Sequence, residues 1–238
     1  AWGTGEECWL ISHTEIYGDP GGMKLWTQVD DVLLRDYPDE NGKQLRVSAI
    51  GVDSGGHYTS EVYAYARSRR QKGVFALKGQ SIRNKPPIGK PSKVDINYKG
   101  QVLKGSAELF PVGVDTIKSS IFGRLKHNEI GPGYIHFHAE AGHEYFKQLT
   151  SERQVIRYVK GFAVREWKKK ASDRNEALDC FVYSYASLHW LYMRYNRNTI
   201  FQQFENSLKR GDKTSKKDDL TPDKPIESPY RPPQRRHA

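Results

Sequence analysis

The segment Ile50-Gly51-Val52-Asp53-Ser54-Gly55-Gly56 constrains the fold more than any other stretch of the chain. From Leu45 to Asp53 the residues are mostly apolar, with β-branched members, which predicts a buried strand. Ser54-Gly55-Gly56 breaks it. Thr59 suits the N-cap of a helix running to Arg70, with Val62, Tyr63 and Ala66 facing inward. Val74 to Lys78 is a second short apolar strand. Strand, helix and strand in that order demand a right-handed crossover and a parallel pair, so the class is α/β. Open α/β sheets place ligand sites at the carboxyl ends of their strands, and Asp53 stands at such an end. The glycines after it leave room for a metal or a phosphate. An Asx-turn, or a cap for the following helix, is the competing use of the same carboxylate.

The rest of the chain extends this pattern. Glu7 to Tyr17 alternates and predicts a strand, stopped by Gly18-Asp19-Pro20-Gly21-Gly22. Leu25, Trp26, Val29, Val32 and Leu33 recur at helical spacing, which predicts a helix from Lys24 to Asp36, ended by Tyr37-Pro38. Gln80 to Pro91 reads as a basic loop. Lys93–Tyr98 and Gln101–Phe110 read as strands around Lys99-Gly100, and Gln154–Lys160 and Phe162–Lys168 as strands around Lys160-Gly161. Helices are predicted over Asp115–Lys126, His143–Thr150 and, as one long apolar helix, Asn175 to about Gln203. A short strand is predicted at Tyr134–His138. Beyond residue 205 the composition is Pro, Lys, Ser and Asp, which predicts a disordered basic tail over 206–238 behind a domain of 1–205.

Charge narrows the partners. The chain of 238 residues holds 38 Lys and Arg against 28 Asp and Glu, a formal charge of +10. The tail from Asn206 contributes nine basic and five acidic residues, so the body is basic too. Such a chain attracts polyanions, nucleic acid first among them. No run approaches the ~18 apolar residues of a membrane helix. Two cysteines, Cys8 and Cys180, cannot build a disulfide framework or a cysteine-rich zinc site, and a reducing compartment fits them. No phosphate loop of the Gly-x-x-x-x-Gly-Lys-Ser/Thr type is present, which excludes an ATPase within these residues.

Two further constellations carry chemistry. Glu176 and Asp179 stand three residues apart and share a helix face. Asn175 suits a cap, and acids in a first turn complement the helix dipole, which accounts for Glu176. Asp179 is different: Phe181, Val182, Tyr183, Tyr185 and Ala186 follow it, so its helix is largely buried and its carboxylate needs a partner or a cation. Basic residues group at Arg67–Lys72, at Lys78, Arg83, Lys85, Lys90 and Lys93, and at Lys168, Lys169 and Lys170. Charge runs usually form solvated faces; three of them flanking acidic positions also suit a groove that tracks phosphates. Lys78 fits a phosphate contact and a sheet-edge surface lysine equally. His136 and His138 alternate in their strand without the spacing of a zinc site, and are read as satisfied or surface histidines.

Ala1-Trp2-Gly3, Gly18-Asp19-Pro20, Val52-Asp53-Ser54-Gly55-Gly56, Leu77-Lys78-Gly79, Gly113-Val114-Asp115-Thr116, Gly131-Pro132-Gly133-Tyr134-Ile135-His136-Phe137 and Asn175-Glu176-Ala177-Leu178-Asp179 occur in this order. The series, over residues 1 to about 195, resembles the nuclease region of the lambda-type large terminase subunit of tailed bacteriophages. That resemblance implies an RNase H-like fold, a mixed sheet flanked by helices, whose acidic cluster holds Mg²⁺ or Mn²⁺ and cuts double-stranded DNA during genome packaging in the host cytoplasm. It implies Asp53 and Asp179 as catalytic metal ligands, with Glu176 as a further or alternate ligand. Lys78, Arg83, Lys85 and the Lys168–Lys170 run are the expected nucleic-acid contacts. The small terminase subunit and the procapsid portal are the implied partners, with the tail as a portal-docking segment. In this family a first catalytic aspartate precedes the Trp-Gly match. The expectation is therefore an N-terminally incomplete sheet with unpaired strand edges. Two other readings stand beside the nuclease: a non-catalytic DNA-binding or portal-docking remnant of such a terminase, and another RNase H-like enzyme such as a transposase.

Overall fold

The computed structural model describes residues 1–98 and 101–210. They fall into two compact units, Ala1–His189 and the residues from Trp190 onward.

The first unit is built on a mixed four-stranded sheet. Its strands are β4 (Ile50–Asp53), β5 (Val74–Gln80), β6 (Ser92–Tyr98) and β7 (Gln101–Gly113), in the spatial order β4-β5-β7-β6. β4, β5 and β7 run parallel, and β6 pairs antiparallel with β7. The expected parallel pair is therefore present, joined by α2 (Thr59–Ser68). Residues 99 and 100, the expected hairpin turn, lie outside the described residues.

Alternation along β5 explains the layering. Val74 and Ala76 point to one face, where Val62, Tyr63, Tyr65 and Ala66 of α2 form a core with Ile50, Ile96 and Ala107. α1 (Met23–Leu33) adds Trp26, Val29 and Leu33 to this side, and Trp26 stacks on Tyr65 at 4.4 Å. Phe75 and Leu77 point to the other face. There α3 (Val114–Arg124), α4 (His143–Leu149) and α5 (Glu176–Tyr192) supply Ile117, Ile121, Leu149, Leu178 and Val182, all essentially inaccessible to water. Full burial of each such side chain contributes roughly 1.5–3 kcal/mol.

Three two-stranded pairings complete this unit, Tyr37–Pro38 (β2) with Gln44–Leu45 (β3) among them. β1 (Cys8–Trp9) runs parallel to β8 (Ile135–His136), and β9 (Arg153–Val159) pairs antiparallel with β10 (Phe162–Lys168) across Lys160-Gly161. Both turn residues have positive φ, 51° and 82°, as a tight hairpin turn requires.

Several expectations need correction. The strand over Glu7–Tyr17 is only Cys8–Trp9. Leu10 still donates to the His136 carbonyl, but the polar residues that follow have no strand to join. The strand expected from Leu45 is two pieces: Gln44–Leu45 (β3) pairs with Tyr37–Pro38 (β2), and the buried strand starts at Ile50. The strand at Tyr134–His138 shortens to Ile135–His136. Thr59 does not cap α2 through its side chain; its hydroxyl donates to the Ser54 and Gly56 carbonyls.

In the second unit, the single long helix to Gln203 is interrupted. α5 ends at Tyr192, and α6 covers Ile200–Arg210. Asn196 carries the break: its Oδ1 accepts from the Asn198 amide, and its carbonyl accepts from the Thr199 and Ile200 amides. α6 runs past the expected start of the tail at Asn206; residues 211–238 lie outside the described residues. Among the described residues no helix is long and apolar enough to cross a membrane.

Candidate active site

β4 ends on Asp53, level with Leu77 of β5. Ser54 then anchors the turn, donating both its amide and its hydroxyl to the Leu77 carbonyl at 2.8 Å. The Gly55 amide donates to Asp53 Oδ1 at 3.0 Å. The Asx-turn is thus real and occupies one lone pair. Asp53 remains exposed to solvent, and the Tyr183 hydroxyl is its further hydrogen-bond partner.

Asp179 comes to the same place from α5. Gln148 of α4, 1% exposed, accepts the Ala177 amide and closes one donor of the helix start. Asn175 does not use its side chain as a cap. Its Nδ2 donates to Asp179 Oδ2 at 3.0 Å and to Glu152 Oε1 at 2.9 Å. Lys118 of α3 is buried beneath these acids, with Nζ 2.7 Å from Glu152 Oε1 and 3.7 Å from Asp179 Oδ1. Asp115, one turn earlier on α3, feels both Lys118 and Glu152.

The electrostatics show how crowded the negative charge is. Burial pushes the Asp179 carboxyl above its ordinary range. Lys118 opposes the shift, and the charges of Glu152, Asp53 and Glu176 add to it. The Asp179 side chain is 43% exposed, so one side of the carboxylate is dry and the other faces solvent. Burial also raises the Asp115 carboxyl, against the pull of Lys118 and Arg83. Tyr183 bonds to Asp53 and feels Asp179, its phenol held protonated by burial and then by the Asp53 charge. A Cβ on Gly79 would sit 3.1 Å from that hydroxyl, so the glycine of Leu77-Lys78-Gly79 leaves the space Tyr183 needs.

Asp53 and Asp179 are therefore brought together. Glu176 is turned toward Arg174, at 3.2 Å, and that arginine also holds Glu15 at 2.9 Å. Lys78 is exposed directly after Leu77. Arg83 lies within electrostatic reach of Asp115. The Lys85 carbonyl accepts from Thr116 Oγ1 at 2.7 Å, which lays the basic loop across the start of α3. Lys168 pairs with Glu166 at 3.0 Å, Lys169 donates to the Asp173 carbonyl at 2.7 Å, and Lys170 is exposed. His136 is satisfied by Glu7 at 2.6 Å and stacks on Trp9, whereas His138 Nε2 is buried without a hydrogen-bond partner.

Three members of the site escaped sequence reasoning. Asp115 sat inside a quoted motif without a role. Lys118 betrays itself only as a lysine between Ile117 and Ile121 on an apolar helix face. Glu152 carries no sequence signal.

The donor set is all oxygen, which suits a hard divalent cation. Asp179, raised first by burial and further by the neighbouring carboxylates, is a group that a cation would relieve. Among the described residues, however, no three His, Cys, Asp or Glu side chains converge into a metal cage.

A mixed sheet flanked by helices, with two carboxylates meeting at its edge and basic segments around them, defines an α/β domain. Residues 1–199 match the family described as terminase large subunit gpA, endonuclease domain, and the chain belongs to that family. It is 34% identical over 199 residues to the terminase large subunit of Escherichia phage lambda, and 31% identical over 197 residues to that of Enterobacteria phage P21. Each alignment covers 79% of this chain and 29% of the relative, so the chain spans well under half the length of these proteins. No solved structure matches it.

Proposed function

We propose that this chain is the nuclease module of a packaging terminase large subunit, RNase H-like in arrangement, and that it cuts double-stranded phage DNA in the host cytoplasm. The observation that carries this reading is the approach of Asp53, at the end of β4, to Asp179 on α5, in a member of an endonuclease family. Asp53 and Asp179 are the ligands assigned to Mg²⁺ or Mn²⁺, with Glu176 one turn away as an alternate. When bound, a pair of such ions supplies an activated water and stabilises the leaving oxygen of the phosphodiester.

The chain's own residues prepare this site. The Gly55 amide fixes the Asp53 rotamer. Asn175 bonds one oxygen of Asp179 and Lys118 stands 3.7 Å from the other, which leaves their solvent-facing lone pairs for a cation. Tyr183, kept protonated, serves as a donor toward Asp53. Lys78, Arg83, Lys85, Lys168, Lys169 and Lys170 attract the phosphate backbone by charge. The small terminase subunit and the portal are the partners this role implies.

Plasmid nicking with Mn²⁺, Mg²⁺ or EDTA tests the proposal. Asp53→Ala and Asp179→Asn should each abolish cleavage while duplex binding persists. Undiminished cleavage by Asp53→Ala refutes the assignment. The lack of a three-carboxylate cage among the described residues favours a second reading, a DNA-binding or portal-docking module without catalysis. Salt-sensitive duplex binding without cleavage in either metal would select it.

A further inference from the structure

The β9–β10 ribbon is the most exposed regular element of the first unit. Each strand has seven residues, which at about 3.3 Å per residue gives an arm roughly 20 Å long. Between residues 153 and 170 the chain carries seven Lys and Arg and a single carboxylate, Glu166. That carboxylate sits between two cations, 3.0 Å from Lys168 and 3.9 Å from Arg157, and cannot neutralise both. The tip is apolar and open, with Tyr158 73% and Phe162 77% exposed, and Ile156 midway along β9 is 60% exposed. Exposed apolar surface combined with dense positive charge marks a binding element.

Both feet of this arm stand on the candidate active site. Glu152, immediately before β9, is the buried partner of Lys118 and Asn175. β10 leads through Lys169 and Lys170 to Asn175 and Asp179. Trp167, at the base of β10, packs on Phe122 of α3 at 4.7 Å. The arm therefore rises from the acidic cluster with its base held and its length free.

We propose that the β9–β10 ribbon is a DNA-gripping arm that lies along the duplex beside the cleavage site. The inference rests on the nuclease reading and deepens it. Duplex DNA carries one charge per about 1.7 Å of axis, so an arm of this length spans on the order of a dozen phosphates. Arg153, Arg157, Lys160 and Arg165 extend the field of the lysines at its base. Tyr158 and Phe162 at the tip supply contacts that salt does not screen.

The test is fluorescence anisotropy of the full chain with a 30-base-pair duplex at several salt concentrations. One variant carries Arg153→Gln, Arg157→Gln, Lys160→Gln and Arg165→Gln; a second carries Tyr158→Ser and Phe162→Ser. The charge variant should bind at least about tenfold more weakly, with a salt slope lower by about 3. The tip variant should lose affinity at an unchanged slope. If the unaltered chain binds DNA and the charge variant matches it in affinity and slope, the arm is overturned while the nuclease reading stands. If the unaltered chain binds no DNA, both fall. If the tip variant alters only the sedimentation coefficient, the tip contacts protein and the arm is again overturned.

Discussion

Lys118→Met isolates the energetics of the candidate site. Lys118 and Glu152 are 8% and 7% exposed and lie 2.7 Å apart, so solvent screens the pair little. Removing one partner of a buried pair costs about 3–5 kcal/mol, because the other charge stays buried and uncompensated. Here Glu152 keeps the Asn175 amide at 2.9 Å, which places the expected loss near the lower end, about 3 kcal/mol. With a urea m-value of about 2–3 kcal/mol/M, the unfolding midpoint should fall by about 1–1.5 M. Adding Glu152→Gln keeps an acceptor for Asn175 and removes the orphaned charge. The double variant should recover at least about 1.5 kcal/mol relative to the sum of the singles. A single-variant loss below about 1 kcal/mol, or simple additivity in the cycle, refutes the argument that Lys118 neutralises the cluster.

Other outcomes follow from the same structure. The Asp179 carboxyl is raised by burial. Its protonated form therefore favours the fold: this stability is present below the ordinary value of about 3.9 and is lost as pH rises through the elevated one. Asp179→Asn should then raise Tm at pH 7 and leave it unchanged at pH 3, as differential scanning calorimetry at the two pH values can check. Gly51→Ala places a Cβ 2.4 Å from Leu77 Cδ1 and 2.8 Å from Ser187 Oγ, so overpacking should cost about 1–3 kcal/mol in a denaturation curve. Burial pushes the Cys8 thiol up to about 11. Its alkylation by iodoacetamide at pH 8 should therefore be slower than that of a free cysteine by roughly two orders of magnitude.

Local periodicity made much of the fold legible. Leu25, Trp26, Val29 and Leu33 marked α1, and Val74 to Lys78 marked β5, because their own spacing reports the face they bury. The Lys160-Gly161 hairpin was legible from its turn residues. The breaks were harder. The interruption lies in the polar stretch 194–199, where the Asn196 side chain organises the start of α6, and the apolar residues on either side masked it. Glu7–Tyr17 alternates like a strand, but only Cys8–Trp9 finds a partner, since strand length depends on a neighbour far along the chain. The site followed the same division. Asp53 and Asp179 stood out against apolar surroundings. Lys118 and Glu152 gain their meaning only from each other, 34 positions apart in the sequence.

The buried pairing of Glu6 has a consequence for synthesis. Its carboxylate accepts from Arg124 and from the Tyr185 hydroxyl, the latter 179 residues later in the chain. At roughly 5–20 residues per second, a ribosome makes Glu6 some 10–40 s before Tyr185 emerges. Through that interval the segment around Glu6 and Cys8 must stay hydrated and unclaimed, because β8 and the Glu6 partners on α3 and α5 do not yet exist. The residues around Glu6 are thus made well before the partners that bury them, and through that interval they stand open to misfolding or capture.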